Sequence, residues 1–208
     1  MLPTFSLLAI SDRTTLPLPF EDWLRALGAA GIGAVQIREK DLEDRALYEL
    51  TVRARMALPS SVRLLVNGRA DVALTAGADG VHLPADGVPV APLRRRLGGA
   101  LLIGRSTHRL DEVERARDEG ADYVTFGPFY ATPGKGPPVS LQELGRAAAC
   151  GIPVYALGGV TLEAFGELAG AGAAGIAAIR LFQDLSHLSQ VARAAREHFC
   201  RTEGELAP

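Results

Sequence analysis

The stretch Ala76-Gly77-Ala78-Asp79-Gly80-Val81-His82-Leu83 decides the fold. Small residues and a glycine end one helix, and a short apolar run then begins a strand. The same phrase returns at Ala29-Ala30-Gly31-Ile32-Gly33-Ala34, at Glu119-Gly120-Ala121-Asp122-Tyr123-Val124 and at Ala171-Gly172-Ala173-Ala174-Gly175-Ile176. A recurring helix–glycine–strand joint implies stacked βαβ units and a parallel sheet covered on both faces.

Working outward from these joints, the strands read as Phe5–Ile10, Ala34–Arg38, Arg63–Asn67, Gly80–Leu83, Leu101–Gly104, Tyr123–Phe126, Val154–Leu157 and Gly175–Ile179. Amphipathic stretches near 19–30, 43–56, 69–76, 90–97, 109–118, 140–148, 161–170 and 186–199 read as the helices between and after them. Ser140, Thr161 and Asp41 with Asp44 are the expected helix-opening residues. Eight such units close a barrel, so the expected fold is α/β, a single (β/α)8 TIM barrel over residues 1–200 with a short, frayed tail at 201–208. An open doubly wound sheet is disfavoured because no Gly-x-Gly-x-x-Gly follows the first strand.

The formal net charge is −2 and 22% of the residues are charged, so no basic field exists to hold nucleic acid or an acidic membrane. The apolar fraction is 48%, but its runs are far shorter than a bilayer-spanning helix of about 20 residues. Two isolated cysteines, Cys150 and Cys200, suit neither a disulfide framework nor a zinc site. With no signal-like start at Met1-Leu2-Pro3-Thr4-Phe5, a soluble cytoplasmic protein is expected, with a homo-oligomer left open.

Barrels place reactive groups at the C-terminal ends of their strands. Strand two ends in Gln36-Ile37-Arg38-Glu39-Lys40, where alternation points Gln36, Arg38 and Lys40 into the mouth. A guanidinium fork beside an ammonium suits phosphate oxygens, while the alternative is a strand-end ion pair with Glu39 or Asp41. Asn67, His82, Ser106 and His108 end or follow strands three to five, and His82 is the stronger proton-transfer candidate of the two histidines. The loop from Gly127 to Pro138 is rich in glycine and proline, and Thr132 and Lys135 within it are expected to close over an anion. Gly158-Gly159 after strand seven and Ile179-Arg180 after strand eight occupy the usual phosphate cradle.

The ordered set Gln36-Ile37-Arg38-Glu39-Lys40, Val66-Asn67, Asp79-Gly80-Val81-His82-Leu83, Gly104-Arg105-Ser106-Thr107-His108, Gly127-Pro128-Phe129-Tyr130-Ala131-Thr132 with Lys135, and Gly158-Gly159-Val160 resembles the thiamin phosphate synthase and TenI superfamily over nearly the whole chain. The resemblance implies that Gln36 to Lys40, Asn67, Ser106 and Lys135 hold a pyrimidine diphosphate. It likewise implies that Thr132, Pro133, Gly134, Gly158, Gly159, Ile179 and Arg180 hold a thiazole phosphate. Synthases of the family use magnesium held by two aspartates, and here those places are Gly68 and Gly87, with Asp86 and Asp71 nearby. The expected protein is therefore TenI-like, without a metal or other cofactor: a thiazole tautomerase, an isomerase, with His82, Lys135 and Arg38 as its catalytic candidates. In that branch a histidine is expected where Pro128 stands. The alternative is a thiamin phosphate synthase, a transferase that needs Mg2+. A non-catalytic regulatory or ligand-binding protein is the third reading.

Overall fold

The computed structural model describes residue 3, residues 5–131 and residues 136–199. Thr132, Pro133, Gly134, Lys135, Cys200 and the 201–208 tail lie outside them. Eight parallel strands, β1 (Leu7–Ile10), β2 (Ala34–Ile37), β3 (Arg63–Asn67), β4 (Gly80–Leu83), β5 (Leu102–Thr107), β6 (Tyr123–Phe126), β7 (Val154–Leu157) and β8 (Gly175–Ala178), form a closed barrel in sequence order. Pairing of Leu8 with Ala34 on one side and with Ala177 on the other completes the ring. The helices that cover it are α1 (Phe20–Ala30), α2 (Asp44–Ala57), α3 (Ala70–Thr75), α4 (Val90–Leu97), α5 (Leu110–Asp118), α6 (Leu141–Ala148), α7 (Phe165–Gly170) and α8 (Leu188–Phe199).

Strand alternation sorts the core into two parts. Residues such as Leu7, Val35, Leu64, Val81, Ile103 and Val124 face the helices in one apolar layer. Their neighbours Leu8, Ile10, Leu65, Leu102, Tyr123 and Tyr155 fill the barrel itself. Phe5 plugs the N-terminal end, its ring 5.8 Å from that of Tyr123 and 5.2 Å from that of Tyr155, whose hydroxyl donates to the Phe5 carbonyl.

The repeated joint does the same structural task at two places. Gly77 (φ 71°) and Gly120 (φ 89°) turn the chain through the left-handed region after α3 and α5. Two residues on, the Asp79 carboxylate accepts the Leu64 N–H at 2.8 Å, and that of Asp122 accepts the Ile103 N–H at 2.7 Å. Each aspartate thus ties its joint to the neighbouring strand at the barrel's N-terminal end, and arginines on both (Arg55 and Arg63, and Arg94) balance the charge.

Some boundaries differ from the sequence expectation. β1 begins at Leu7 rather than Phe5, β2 ends at Ile37 rather than Arg38, and β8 ends at Ala178 rather than Ile179. β5 continues past Gly104 to Thr107, because Ser106 and Thr107 pair with Thr125 and Phe126 of β6. Ser140 makes a full capping box with Glu143. Thr161 caps nothing with its side chain, since a 3-10 turn at Leu162–Ala164 precedes α7, and a second such turn at Leu185–His187 precedes α8. Glu43 is the N-cap of α2, again with no side-chain hydrogen bond; Asp44 is already helical and Asp41 is bound to Arg13 instead. Among the described residues no helix is long and apolar enough to cross a membrane.

Candidate active site at the barrel mouth

The inward faces of the strands turn polar at their C-terminal ends. Gln36 follows Ala34 on β2, Asn67 follows Leu65 on β3, Ser106 follows Gly104 on β5 and Thr125 follows Tyr123 on β6, each two residues on and therefore on the same face. These four, with Arg38, Lys40, His82, Asp86 and Ile179, line a mouth cavity of about 360 Å³. That is within the range of small-molecule sites. Gln36 is 1% exposed and donates through Nε2 to Asn67 Oδ1 at 3.2 Å, while its own Oε1 is buried without a partner. An unmet buried acceptor costs roughly 1–3 kcal/mol, which a ligand donor can recover.

Arg38 and Lys40 are not ion-paired to Glu39 or Asp41, contrary to the strand-end ion-pair alternative. Arg13, on the 3-10 turn after β1, takes both carboxylates: Nη1 and Nη2 lie 2.8 and 2.5 Å from the two Asp41 oxygens, and Nη1 is 3.2 Å from Glu39 Oε2. Glu39 is buried and also accepts the Arg13 N–H at 3.1 Å and the Ser11 hydroxyl at 2.5 Å. Ser11 Oγ in turn accepts the Arg38 N–H at 2.9 Å, fixing the backbone from which that guanidinium enters the cavity. Among the described residues, the Arg38 and Lys40 side chains have no carboxylate partner and stand as open cations at the mouth.

His82 is 3% exposed, and both ring nitrogens are engaged: Nδ1 lies 2.9 Å from Tyr123 Oη and Nε2 lies 2.9 Å from Ser106 Oγ. Burial, with the positive charges of Arg105 and Arg38 adding to it, pushes the imidazole down to about 3. The ring is neutral at neutral pH, and the unfolded chain then binds the extra proton as pH falls below about 6.5. Stability is therefore full above that value and lost as the pH falls toward 3, with a slope approaching 1.4 kcal/mol per pH unit. Chemical denaturation of the wild type and His82→Gln between pH 7 and pH 4.5 should show this slope shrinking in the variant.

Not every expected residue converges here. Ile179 lines the mouth, but Gly158, Gly159 and Arg180 do not. Arg180 is exposed at the start of a 3-10 turn, and the two glycines make room for the chain's own backbone: a Cβ at Gly159 would lie 2.7 Å from Tyr130 Cβ, and one at Gly158 would lie 2.5 Å from Pro128 Cβ. His108 does line the mouth, and it binds the Gly127 carbonyl through Nδ1 at 2.6 Å. The residues sequence reasoning missed include Thr125 in the cavity lining, and Arg13 and Tyr123 behind it. For Tyr123 a signal existed in the strand register, because His82, Gly104 and Tyr123 stand side by side on β4, β5 and β6.

The side chains do not fit a magnesium ion held by the protein. Gly68 and Gly87 supply no carboxylate, Asp71 is held by both arms of Arg69, and Glu39 is consumed by Arg13 and Ser11. Asp86 alone brings a carboxylate to the cavity, and no group of three His, Cys, Asp or Glu side chains with metal-ligand geometry exists among the described residues.

A closed (β/α)8 barrel with its polar side chains gathered at the C-terminal strand ends defines the class of TIM-barrel enzymes. The chain belongs to the TMP-TENI family, described as thiamine monophosphate synthase, whose profile matches residues 7–182. A putative thiamine-phosphate synthase of Geobacter sulfurreducens is 46% identical over 156 residues, 73% of each chain. The thiamine-phosphate synthase of Anaeromyxobacter dehalogenans is 44% identical over 161 residues, 74% of this chain and 72% of the relative. The solved thiamine phosphate pyrophosphorylase from Pyrococcus furiosus superposes with a TM-score of 0.80 at 28% identity, covering 93% and 98% of the two chains. The fold is thus that of a thiamin-biosynthetic barrel enzyme. The names of these relatives match the transferase alternative rather than the expected tautomerase, and none supports an isomerase.

Proposed function

We propose that the chain is a thiamin phosphate synthase, joining a hydroxymethylpyrimidine diphosphate to a thiazole phosphate. The observation that carries this reading is the order of groups along the end of β2: a half-satisfied Gln36 amide deep in the mouth, then the open cations Arg38 and Lys40 toward the rim. A ligand matching that order has a hydrogen-bonding heterocycle at one end and an anionic chain at the other. An aminopyrimidine offers the N–H donor that Gln36 Oε1 lacks, whereas an aromatic thiazole nitrogen only accepts. Its diphosphate then lies along Arg38 and Lys40, with Ser106 beside it.

In the reaction a C–N bond forms between the thiazole nitrogen and the pyrimidine methylene carbon, and the C–O bond to the diphosphate breaks. The diphosphate leaves with the electron pair, so negative charge grows where Arg38 and Lys40 stand. His82, neutral and with both ring nitrogens engaged by Tyr123 and Ser106, has no proton to move in this step.

Supplying both substrates with added magnesium should yield thiamin phosphate and pyrophosphate, and Arg38→Ala should lower kcat/KM about 100-fold, or about 2.7 kcal/mol. Absence of the coupled product under saturating substrates and metal would overturn the synthase reading. Metal-independent aromatisation of a thiazole carboxylate phosphate would put the tautomerase in its place; that second reading is favoured by Gly68 and Gly87.

A further inference from the structure

The hydrogen-bond file from Tyr123 through His82 to Ser106 has a direction that can be worked out by elimination. Tyr123 is fully buried, and among the described residues its hydroxyl meets one acceptor, His82 Nδ1 at 2.9 Å. A buried hydroxyl proton left without an acceptor is costly, so Tyr123 donates to Nδ1. A neutral imidazole that accepts at Nδ1 carries its proton on Nε2. That proton points at Ser106 Oγ, 2.9 Å away. Ser106 therefore accepts from within the barrel, and its own proton finds no acceptor among the described residues. It has the mouth cavity, which Ser106 lines, left to donate into.

We propose that Tyr123 and His82 are positioning residues that fix the Ser106 hydroxyl as a hydrogen-bond donor to an anionic oxygen of the ligand in the mouth. The proposal rests on the anionic ligand of the synthase reading. An unconstrained serine offers lone pairs as readily as its proton, and a phosphate oxygen can use only the proton. Holding the lone pair from behind removes the unproductive orientation before the ligand arrives. Burial serves the same end twice over: it keeps the His82 ring neutral and raises the Tyr123 hydroxyl well above its ordinary range, so that neither proton is gained or lost near pH 7. Gly104 is part of the device, since a Cβ there would lie 2.4 Å from Tyr123 Oη, and only its absence lets the phenol reach across β5 to His82.

The test has two readouts on the full chain. Histidine 15N spectra at pH 7, with the His82 signals identified by their loss in His82→Gln, should show the neutral Nε2–H tautomer in the wild type and a mixture of tautomers in Tyr123→Phe. Calorimetric binding of inorganic pyrophosphate should weaken about tenfold in Ser106→Ala and in His82→Leu, equivalent to about 1.4 kcal/mol. His82→Gln, whose amide keeps an N–H toward Ser106, should recover most of that loss. An Nδ1–H or doubly protonated His82 in the wild type would overturn the relay, as would pyrophosphate binding equally tight in wild type and Ser106→Ala. Failure of the wild type to bind pyrophosphate would instead overturn the anionic ligand, and with it Ser106's role as a donor, while the ring signals still decide the Tyr123 to His82 direction.

Discussion

Gly104→Ala is expected to lower stability by about 3 kcal/mol, the upper end for forcing extra volume into a packed core. The added Cβ would sit 2.2 Å from Tyr123 Cζ and 2.5 Å from its Cε1, inside van der Waals contact, and the ring has nowhere to retreat. Tyr123 is 0% exposed, with Phe5 edge-on at 5.8 Å and Tyr155 edge-on at 5.3 Å. In a chain of this size such a loss moves the midpoint of thermal unfolding down by roughly 6–12 °C. Because the same displacement pulls the phenol from His82, the methyl group should also abolish the single-tautomer histidine signal. A melting temperature within 2 °C of the wild type would show that the barrel interior repacks around position 104, contrary to this account. The double variant Gly104→Ala with Tyr123→Phe provides a check: removing the hydroxyl relieves only the 2.4 Å contact, so most of the loss should remain.

Position 104 also shows why the fold was legible in the sequence and the site only in part. Fold information is local and repeated: β3, β4, β6 and β7 fall where their apolar runs lie, and the joints at Gly77 and Gly120 mark two of the strand starts. The strand end misread by the most residues was that of β5, where Arg105, Ser106 and Thr107 look like a loop by composition. They are strand residues: Ser106 and Thr107 are polar where they line the mouth, and Arg105 binds the carbonyls of Ala85 and Val88, so propensity fails where function intervenes. Gln36, Arg38, Lys40, Asn67, His82 and Ser106 were visible from alternation and the strand-end rule, and all six line one cavity. Their wiring was not visible. His82 meets Tyr123 across 41 residues of chain, and Arg13 meets Glu39 and Asp41 across 26 and 28, separations that no local pattern encodes. Similarly, the glycine pair at 158 and 159 signals close approach correctly, but the partners in this structure are Pro128 and Tyr130 of the preceding loop.

Arg13→Ala is expected to damage both stability and binding, although Arg13 does not line the mouth cavity. The Glu39 side chain is 2% exposed and that of Arg13 is 28% exposed, so truncating the arginine leaves a buried carboxylate without its cation. Removing one partner of such a pair costs about 3 kcal/mol or more. The functional consequence follows from where the released charge goes. Asp41 loses the fork that held both its oxygens, and Glu39 retains only the Ser11 hydroxyl among its present side-chain partners. Both carboxylates flank Lys40 in sequence, and Arg38 precedes them, so the two cations left open in the wild type are the sequence-adjacent counter-charges. Pyrophosphate affinity should fall about tenfold in Arg13→Ala, and the loss should be partly reversed by adding Asp41→Asn, which removes a competing charge without touching the mouth. Arg13→Lys should fall between the two, since an ammonium keeps the charge but cannot bridge both carboxylates as the fork does. Unchanged pyrophosphate affinity in a folded Arg13→Ala protein would mean that Arg38 and Lys40 remain open without it, and that Arg13 serves the fold alone.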